Sequence, residues 1–323
     1  MKSDDGASGA TPGLGPHSRG RRSFLAAAGS AVAGLVGVAG CLGSSDRVRV
    51  LAAGSLAVVL EEHVGPAFEA AQDVSYGGEY HGSNAVMRLL EEGTKHPDVV
   101  VSADAQLLRD RLYPQQADWD VTFAANEVGI AYAPETDLGA RLDSDEPWYE
   151  AFADADAGDV AISDPDLDPL GYRAVHLFEL VERAEGLEEF RDAMLERVAL
   201  VPDEPQLLTG VESGTRACAV TYRNMALDHD LPFRSLPDAY NFANPEYASQ
   251  YAEATYTTDE GRTIEGRPAV YNATVATDAD APEYGREFVS FLLERPALLE
   301  EHGLRVGGSL PRLHGAAPEA IEP

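Results

Sequence analysis

An α/β fold built on parallel strands is predicted by two observations and bounded by a third. Short apolar strands alternate with amphipathic helices, beginning with Val48–Ala53 and the helix that follows it, and this alternation is the mark of strand–helix–strand units. Four strand-to-helix turns carry Ser55, Ser83, Asp168 and Glu204, residue types that cap a helix or face a ligand at its N-terminus. At 323 residues the chain is long enough for one long domain or for two lobes. In such sheets ligands lie beyond the carboxyl ends of the strands.

The first 45 residues read as addressing information rather than fold. Gly20-Arg21-Arg22-Ser23-Phe24-Leu25 is a twin-arginine signature, and the run from Ala26 to Gly40 is apolar but interrupted by glycine and short for a membrane span. Val38-Ala39-Gly40-Cys41 resembles a lipobox. Cleavage before Cys41 would leave a lipid-modified cysteine that tethers the protein outside the membrane; the competing reading is an ordinary secretory signal.

The first strand, Val48–Ala53, breaks at Gly54-Ser55, and a helix is expected from Leu56 to Val64, broken or kinked at Gly65-Pro66. A second strand, Val74–Tyr80, leads through His81-Gly82-Ser83-Asn84 into a helix ending near Glu92. Both Ser55 and Ser83 are expected as N-caps, each bringing a hydroxyl and free backbone N–H groups to one point. A third strand, Asp98–Val101, precedes Ser102-Ala103-Asp104 and another helix. Residues 118–134 read as strand-rich, and 135–158 as an acidic loop with a short helix near Trp148.

The strand Asp159–Ile162 then opens a long helix, Leu170–Arg183, with Asp168 in the N-cap place and Pro169 as its first residue. Another helix is expected over Gly186–Arg197 and a short strand over Val198–Val201. Glu204-Pro205 repeats the acid-then-proline arrangement and opens a helix ending at Glu212-Ser213-Gly214. Ala217–Tyr222 is a buried strand holding Cys218; residues 235–256 fit no element. Val270–Val275 is a strand, Pro282–Leu293 and Pro296–His302 are helices, and the tail after Pro311 is expected to be loose.

The net charge of −31 excludes nucleic acid as a partner by simple repulsion. Lysine occurs only as Lys2 and Lys95, a composition similar to that of proteins from high-salt organisms. With 44% apolar residues the acidity does not imply disorder. Cys41 and Cys218 are the only cysteines, so no disulfide framework is expected in the mature chain. Neither a phosphate-binding G-x-x-x-x-G-K-[ST] loop nor a spanning helix is found in the sequence, so any transport would need separate subunits.

Two serines suit a tetrahedral oxyanion, because hydroxyl and N–H groups donate to its oxygens. Two carboxylates do not, because they repel a dianion. The acids are either caps facing away, ligands of a cation, or groups that bond to the central atom of the oxyanion. A hard cation wants more oxygen ligands than these. Bonding to the central atom requires a large, high-valent centre such as molybdenum(VI) or tungsten(VI), since sulfate and phosphate do not ordinarily expand their coordination.

Here the chain resembles the archaeal molybdate/tungstate-binding proteins that feed ABC importers. The resemblance runs from Val48 to Gly307. It is carried in order by Ala53-Gly54-Ser55-Leu56, Gly82-Ser83, Val101-Ser102-Ala103-Asp104, Ala117-Asp118-Trp119, Phe123-Ala124-Ala125-Asn126-Glu127, Asp168-Pro169-Leu170-Gly171-Tyr172-Arg173 and Gly210-Val211-Glu212-Ser213-Gly214. It implies a type II periplasmic-binding fold, two α/β lobes joined by two crossing strands. Lobe one would comprise 46–127 with 268–323, and lobe two 128–267. It also implies expansion toward six-coordination by Asp168 and Glu204, with Glu212 in reserve. Ser55, Ser83 and Tyr222 would donate hydroxyls, and Leu56, Leu170 and Gly171 backbone N–H groups. Leu170 stands where relatives often have cysteine, and 184–203 looks short. The protein so implied is a monomeric, non-enzymatic lipoprotein without cofactor. It would be held on the outer membrane face and pass its ion to a permease and ATPase.

Arg173 and Arg88 could stabilise the dianion from further out, but helix-face ion pairs are the plainer reading. His81 reads as a turn residue. A hydrolase triad of Ser55, His81 and Asp104 is disfavoured because no Gly-x-Ser-x-Gly elbow surrounds Ser55. A sulfate, phosphate or organic-acid binder is opposed by the paired acids, and a ligand-free adhesion protein leaves the repeated turns unexplained.

Overall fold

The computed structural model describes residues 46–202 and 204–321; the twin-arginine signature, Cys41 and Asp203 lie outside the described residues. The strands in chain order are β1 Arg47–Ala53, β2 Ser75–His81, β3 Val99–Ser102, β4 Trp119–Ala125, β5 Val128–Tyr132, β6 Val160–Ser163 and β7 Ala199–Val201. They continue as β8 Cys218–Tyr222, β9 Phe233–Ser235, β10 Thr255–Thr257, β11 Thr263–Glu265, β12 Val270–Val275 and β13 Arg312–Gly315.

They form a six-stranded sheet in the order β13-β4-β12-β3-β1-β2, a five-stranded sheet in the order β7-β6-β8-β5-β9, and the hairpin β10-β11. Each large sheet has its own apolar core. One gathers residues between Val128 and Ala269; the other gathers residues from Val48 to Ala124 and from Tyr271 to Ile321. The chain therefore passes to the second sheet after β4 and returns before β12.

The expectation of parallel sheets holds for one side of each sheet only. β1 is parallel to β2 and β3, and β6 is parallel to β7 and β8. β12 is antiparallel to β3 and β4, and β5 is antiparallel to β8 and β9. Parallel neighbours need a crossover, usually a helix. The passages before β5 and β12 are short and carry none, so those strands enter against the grain.

The helix Pro169–Glu185 shows how the sequence builds one element. Asp168 caps its start, Pro169 supplies a pre-set φ at a place needing no N–H, and Gly186 ends it in the left-handed region at φ 67°. Its buried stripe of Leu170, Ala174, Leu177, Phe178 and Val181 packs into the second core, each larger side chain contributing roughly 1.5–3 kcal/mol.

Five local expectations need correction. Gly65-Pro66 does not break its helix, because the turn Val59–Val64 widens and the helix Gly65–Gln72 continues from it. The acidic stretch carries a helix over Asp137–Leu142, capped by Thr136. The helix placed over Gly186–Arg197 covers only Phe190–Leu195. The helix expected from Glu204 is two pieces, Glu204–Gln206 and Thr209–Glu212. The tail is not loose: β13 pairs with β4, and Ile321 is buried. Residues 235–256 resolve into short helical turns tied together by Asp238, Asn241, Asn244 and Tyr251, followed by the start of the β10-β11 hairpin.

Candidate functional site

The carboxyl ends of β1, β2 and β3 meet those of β6, β7 and β8, so the turns picked out in the sequence converge from the two sheets. Ser55, Ser83, Asp168, Glu204 and Tyr222 are all buried there.

The serines do not cap. Gly54–Leu56 is a short helical turn without a side-chain cap, and Ser83 is the first residue of its helix, with Gly82 in the cap place. The Ser55 N–H donates to Glu204 Oε2 at 3.1 Å, its hydroxyl accepts from Tyr271 at 3.2 Å, and its carbonyl accepts from Asn224 at 2.6 Å. Ser83 Oγ accepts from the Ala103 N–H at 3.0 Å. Both hydroxyls are thus held at the strand ends by contacts that helix capping does not require.

Each acid is half satisfied. Asp168 Oδ1 accepts from Gly171 N and from Ser163 Oγ, both at 2.9 Å, and the Leu170 N–H also points to this carboxylate. The N–H of Gly171, expected to face an anion, is engaged by Asp168 in this state. Glu204 does not act as a helix cap; it reaches to Ser55 of the other sheet. Asp168 Oδ2 and Glu204 Oε1 are buried without any partner among the described residues. An unpaired buried acceptor costs about 1–3 kcal/mol, and more when charged. Desolvation pushes Asp168 up to about 7, against the pull of its hydrogen bonds. Glu204 is raised too, by desolvation first and by the charge of Asp168 second. Each acid thus raises the cost of ionising the other.

Arg173 is the residue the sequence reading undervalued. Among the described residues it is the one buried lysine or arginine. It donates to Tyr222 Oη at 2.6 Å, to Ala103 O at 3.1 Å and to Asp104 Oδ2 at 3.2 Å, while Tyr172 reaches Asp104 Oδ2 at 2.7 Å. It is not a helix-face ion pair but a positive charge set between the sheets. A signal was present: Arg173 lies three residues after Leu170 and four before Leu177, on the apolar stripe. Asn126, Asn224 and Tyr271 were also missed. Asn126 Nδ2 donates to Asn224 Oδ1 at 2.7 Å and to Tyr271 Oη at 3.1 Å, steadying the groups that hold Ser55.

Other residues lie elsewhere. Glu212 pairs with His229 at 2.7 Å away from Asp168, and His81 pairs with Glu79 at 2.8 Å. Cys218 is free and buried within β8. Ser55, His81 and Asp104 share no hydrogen bond, so no triad forms. Among the described residues no group of three or more His, Cys, Asp or Glu side chains is placed to hold a metal ion, and no helix is long and apolar enough to cross a membrane.

The two sides are closed on each other. A Cβ on Gly82 would lie 2.4 Å from Leu167 O and 2.5 Å from Asp168 Cβ, and one on Gly54 would lie 2.8 Å from Pro205 Cδ. Glycine is needed here for close approach, not for unusual φ. At the rim, Glu260 of the hairpin bridges Arg88 at 3.2 Å and Arg111 at 3.4 Å, and Arg88 donates to Asp166 O at 2.9 Å.

The family model described as bacterial extracellular solute-binding protein matches residues 48–305. A solute-binding protein of Halobacterium salinarum is 50% identical over 94% of this chain and 97% of its own length. A putative ABC transporter molybdenum-binding protein of Haloferax volcanii is 36% identical over 92% of this chain and 95% of its own. The molybdate/tungstate-binding protein WtpA of Thermococcus kodakarensis is 30% identical over 68% and 69%. Among solved structures, the periplasmic molybdate-binding protein of Azotobacter vinelandii superposes with a TM-score of 0.59, covering 81% of this chain and all of its own, at 16% identity. That likeness establishes the type II periplasmic-binding fold alone.

Proposed function

This chain belongs to the bacterial extracellular solute-binding proteins, a family of binding proteins rather than enzymes, and we propose that the solute it captures is tungstate or molybdate. The observation that carries this reading is the pair of buried acids, Asp168 and Glu204, each with one oxygen that has no partner among the described residues, together with two serine hydroxyls that cap nothing. Ser55, Ser83 and Tyr222 donate to the oxygens of the ion, joined by the backbone N–H of Leu56 and by those of Leu170 and Gly171 once the Asp168 carboxylate turns from Gly171 to the central atom. Asp168 Oδ2 and Glu204 Oε1 bond to the central atom and raise its coordination from four toward six. Arg173 offsets the charge from behind Tyr222. Sulfate and phosphate lack a centre that accepts two more oxygens, so the acids only repel them.

In this proposal lobe one is 46–127 with 268–323 and lobe two is 128–267, and the described state is the closed one. The protein is a monomer, exported through its twin-arginine signal and anchored by a lipid on Cys41. It hands the ion to an ABC permease and its ATPase. The names of the Haloferax and Thermococcus relatives support the ligand class. Calorimetric titration of the purified protein with tungstate, molybdate, sulfate and phosphate tests the reading. Tight one-to-one binding of the first two with the others silent is expected; preferential binding of sulfate or phosphate refutes it.

A further inference from the structure

Behind the cleft, where the chain crosses between the sheets at 125–128 and 266–270, lies a cavity of about 440 Å³. Its wall draws on the six-stranded sheet through Thr122, Ala125 and Val270, on the loop that holds Ala243 and Pro245, and on the C-terminal segment after Gly303. Arg109, Arg267, Arg305 and Arg312 all line it, in a chain with 24 bases against 55 acids. Two are matched: Arg109 grips Asp120 with two bonds of 2.8 Å, and Arg305 pairs with Glu127. The side chains of Arg267, half-buried, and Arg312, exposed, make no hydrogen bond or ion pair among the described residues. With more than two acids for every base, a guanidinium without a carboxylate is not short of candidates. The carboxylate that does face the cavity, Asp104, is taken up by Arg173, Tyr172 and the helix it caps. Much of the remaining wall is apolar, with Pro245 and Val270 among it.

We propose that this cavity is a second binding site, for a small organic anion with an apolar body and a carboxylate or sulfonate group. The anionic group lies between Arg267 and Arg312, and the body fills the apolar wall. The volume is that of a small-molecule pocket, larger than a bare inorganic oxyanion needs. Because Ala243 and Pro245 come from the part of the chain that forms the second sheet and most of the rest of the wall from the part that forms the first, an occupant makes different contacts as the two parts move apart. Asp104 faces the cavity and also ties Arg173 across the cleft, so the two sites are physically joined. Any coupling is reciprocal.

The probe is 1-anilinonaphthalene-8-sulfonate, an aromatic sulfonate whose fluorescence rises in apolar surroundings, titrated into the purified protein at fixed ionic strength. Saturable one-to-one binding is expected, with 1-naphthoate competing. An Arg267→Gln/Arg312→Gln double variant should bind the dye at least about tenfold more weakly, which is 1.4 kcal/mol or more. Since neither arginine has a partner, its circular dichroism and unfolding temperature should match the parent. Saturating tungstate should change the dye affinity without displacing the dye competitively. No saturable binding, parent-like binding in the double variant, or simple competition with tungstate would each overturn the proposal. The dye titration stands whether or not tungstate proves to be the solute of the cleft.

Discussion

Two pairs of buried acids sit in this molecule under opposite conditions. Asp98 and Asp120 border the first sheet and are fully buried, and donors reach every one of their oxygens. Asp98 takes the Arg49 guanidinium together with the N–H groups of Arg49 and Ala281. Asp120 takes Arg109 twice at 2.8 Å and the Tyr113 hydroxyl at 2.7 Å. Asp168 and Glu204 are as deeply buried, but among the described residues no arginine or lysine bonds to them and each has an oxygen without a partner. Burial of an acid is therefore not the sign of a site. Incomplete pairing is, because a fold that hides a carboxylate for its own stability has every reason to finish the job.

The sharpest way to break this contrast is to neutralise one acid from each pair. Asp120→Asn should lower stability by about 3 kcal/mol, because it strands Arg109, and should leave tungstate affinity unchanged; denaturant melts and calorimetry read the two effects. Asp168→Asn should do the reverse. Its amide oxygen still accepts from Gly171, so folding is retained, while tungstate affinity falls at least about 100-fold, or 2.7 kcal/mol. Equal loss of stability in both variants would erase the distinction.

A pH series sharpens it further. Asp168 stands at about 7 in the fold against 3.8 ordinarily, so the folded protein holds a proton that the unfolded chain has released. That contribution is complete below about pH 4 and is lost as the pH rises through about 7. The ligand-free unfolding temperature should therefore decline across this window, and the decline should be smaller, though not absent, in Asp168→Asn, because burial raises Glu204 as well. The smallest effect belongs to the rim. Glu260→Gln removes ion pairs worth about 0.2–1 kcal/mol, and it should weaken tungstate binding by about two- to fivefold at low salt and less at high salt.

The sequence made the strand-to-helix units legible because their signals are local: an apolar run, a glycine or serine, then a 3.6-residue period. Asp168 was found because cap, proline and helix are consecutive. Glu204 was legible as a residue but not as a conformation, since its partner Ser55 lies in the other sheet. The serines were expected as caps because sequence spacing cannot distinguish a cap from a first helical residue. Arg173 was read as a surface charge, and only the packing of Asp104 and Tyr222 around it reveals its place. β12 and β13 run antiparallel for a reason of chain routing that no window of residues contains.

The central claim is that Asp168 and Glu204 bond to the central atom of the captured ion. X-ray absorption at the molybdenum edge, on the purified protein loaded with one equivalent of molybdate, tests it most directly. The account predicts four short oxygen neighbours and two longer ones, with one of the longer pair lost in Asp168→Asn. A spectrum unchanged from free molybdate, with four equal oxygens, would contradict it.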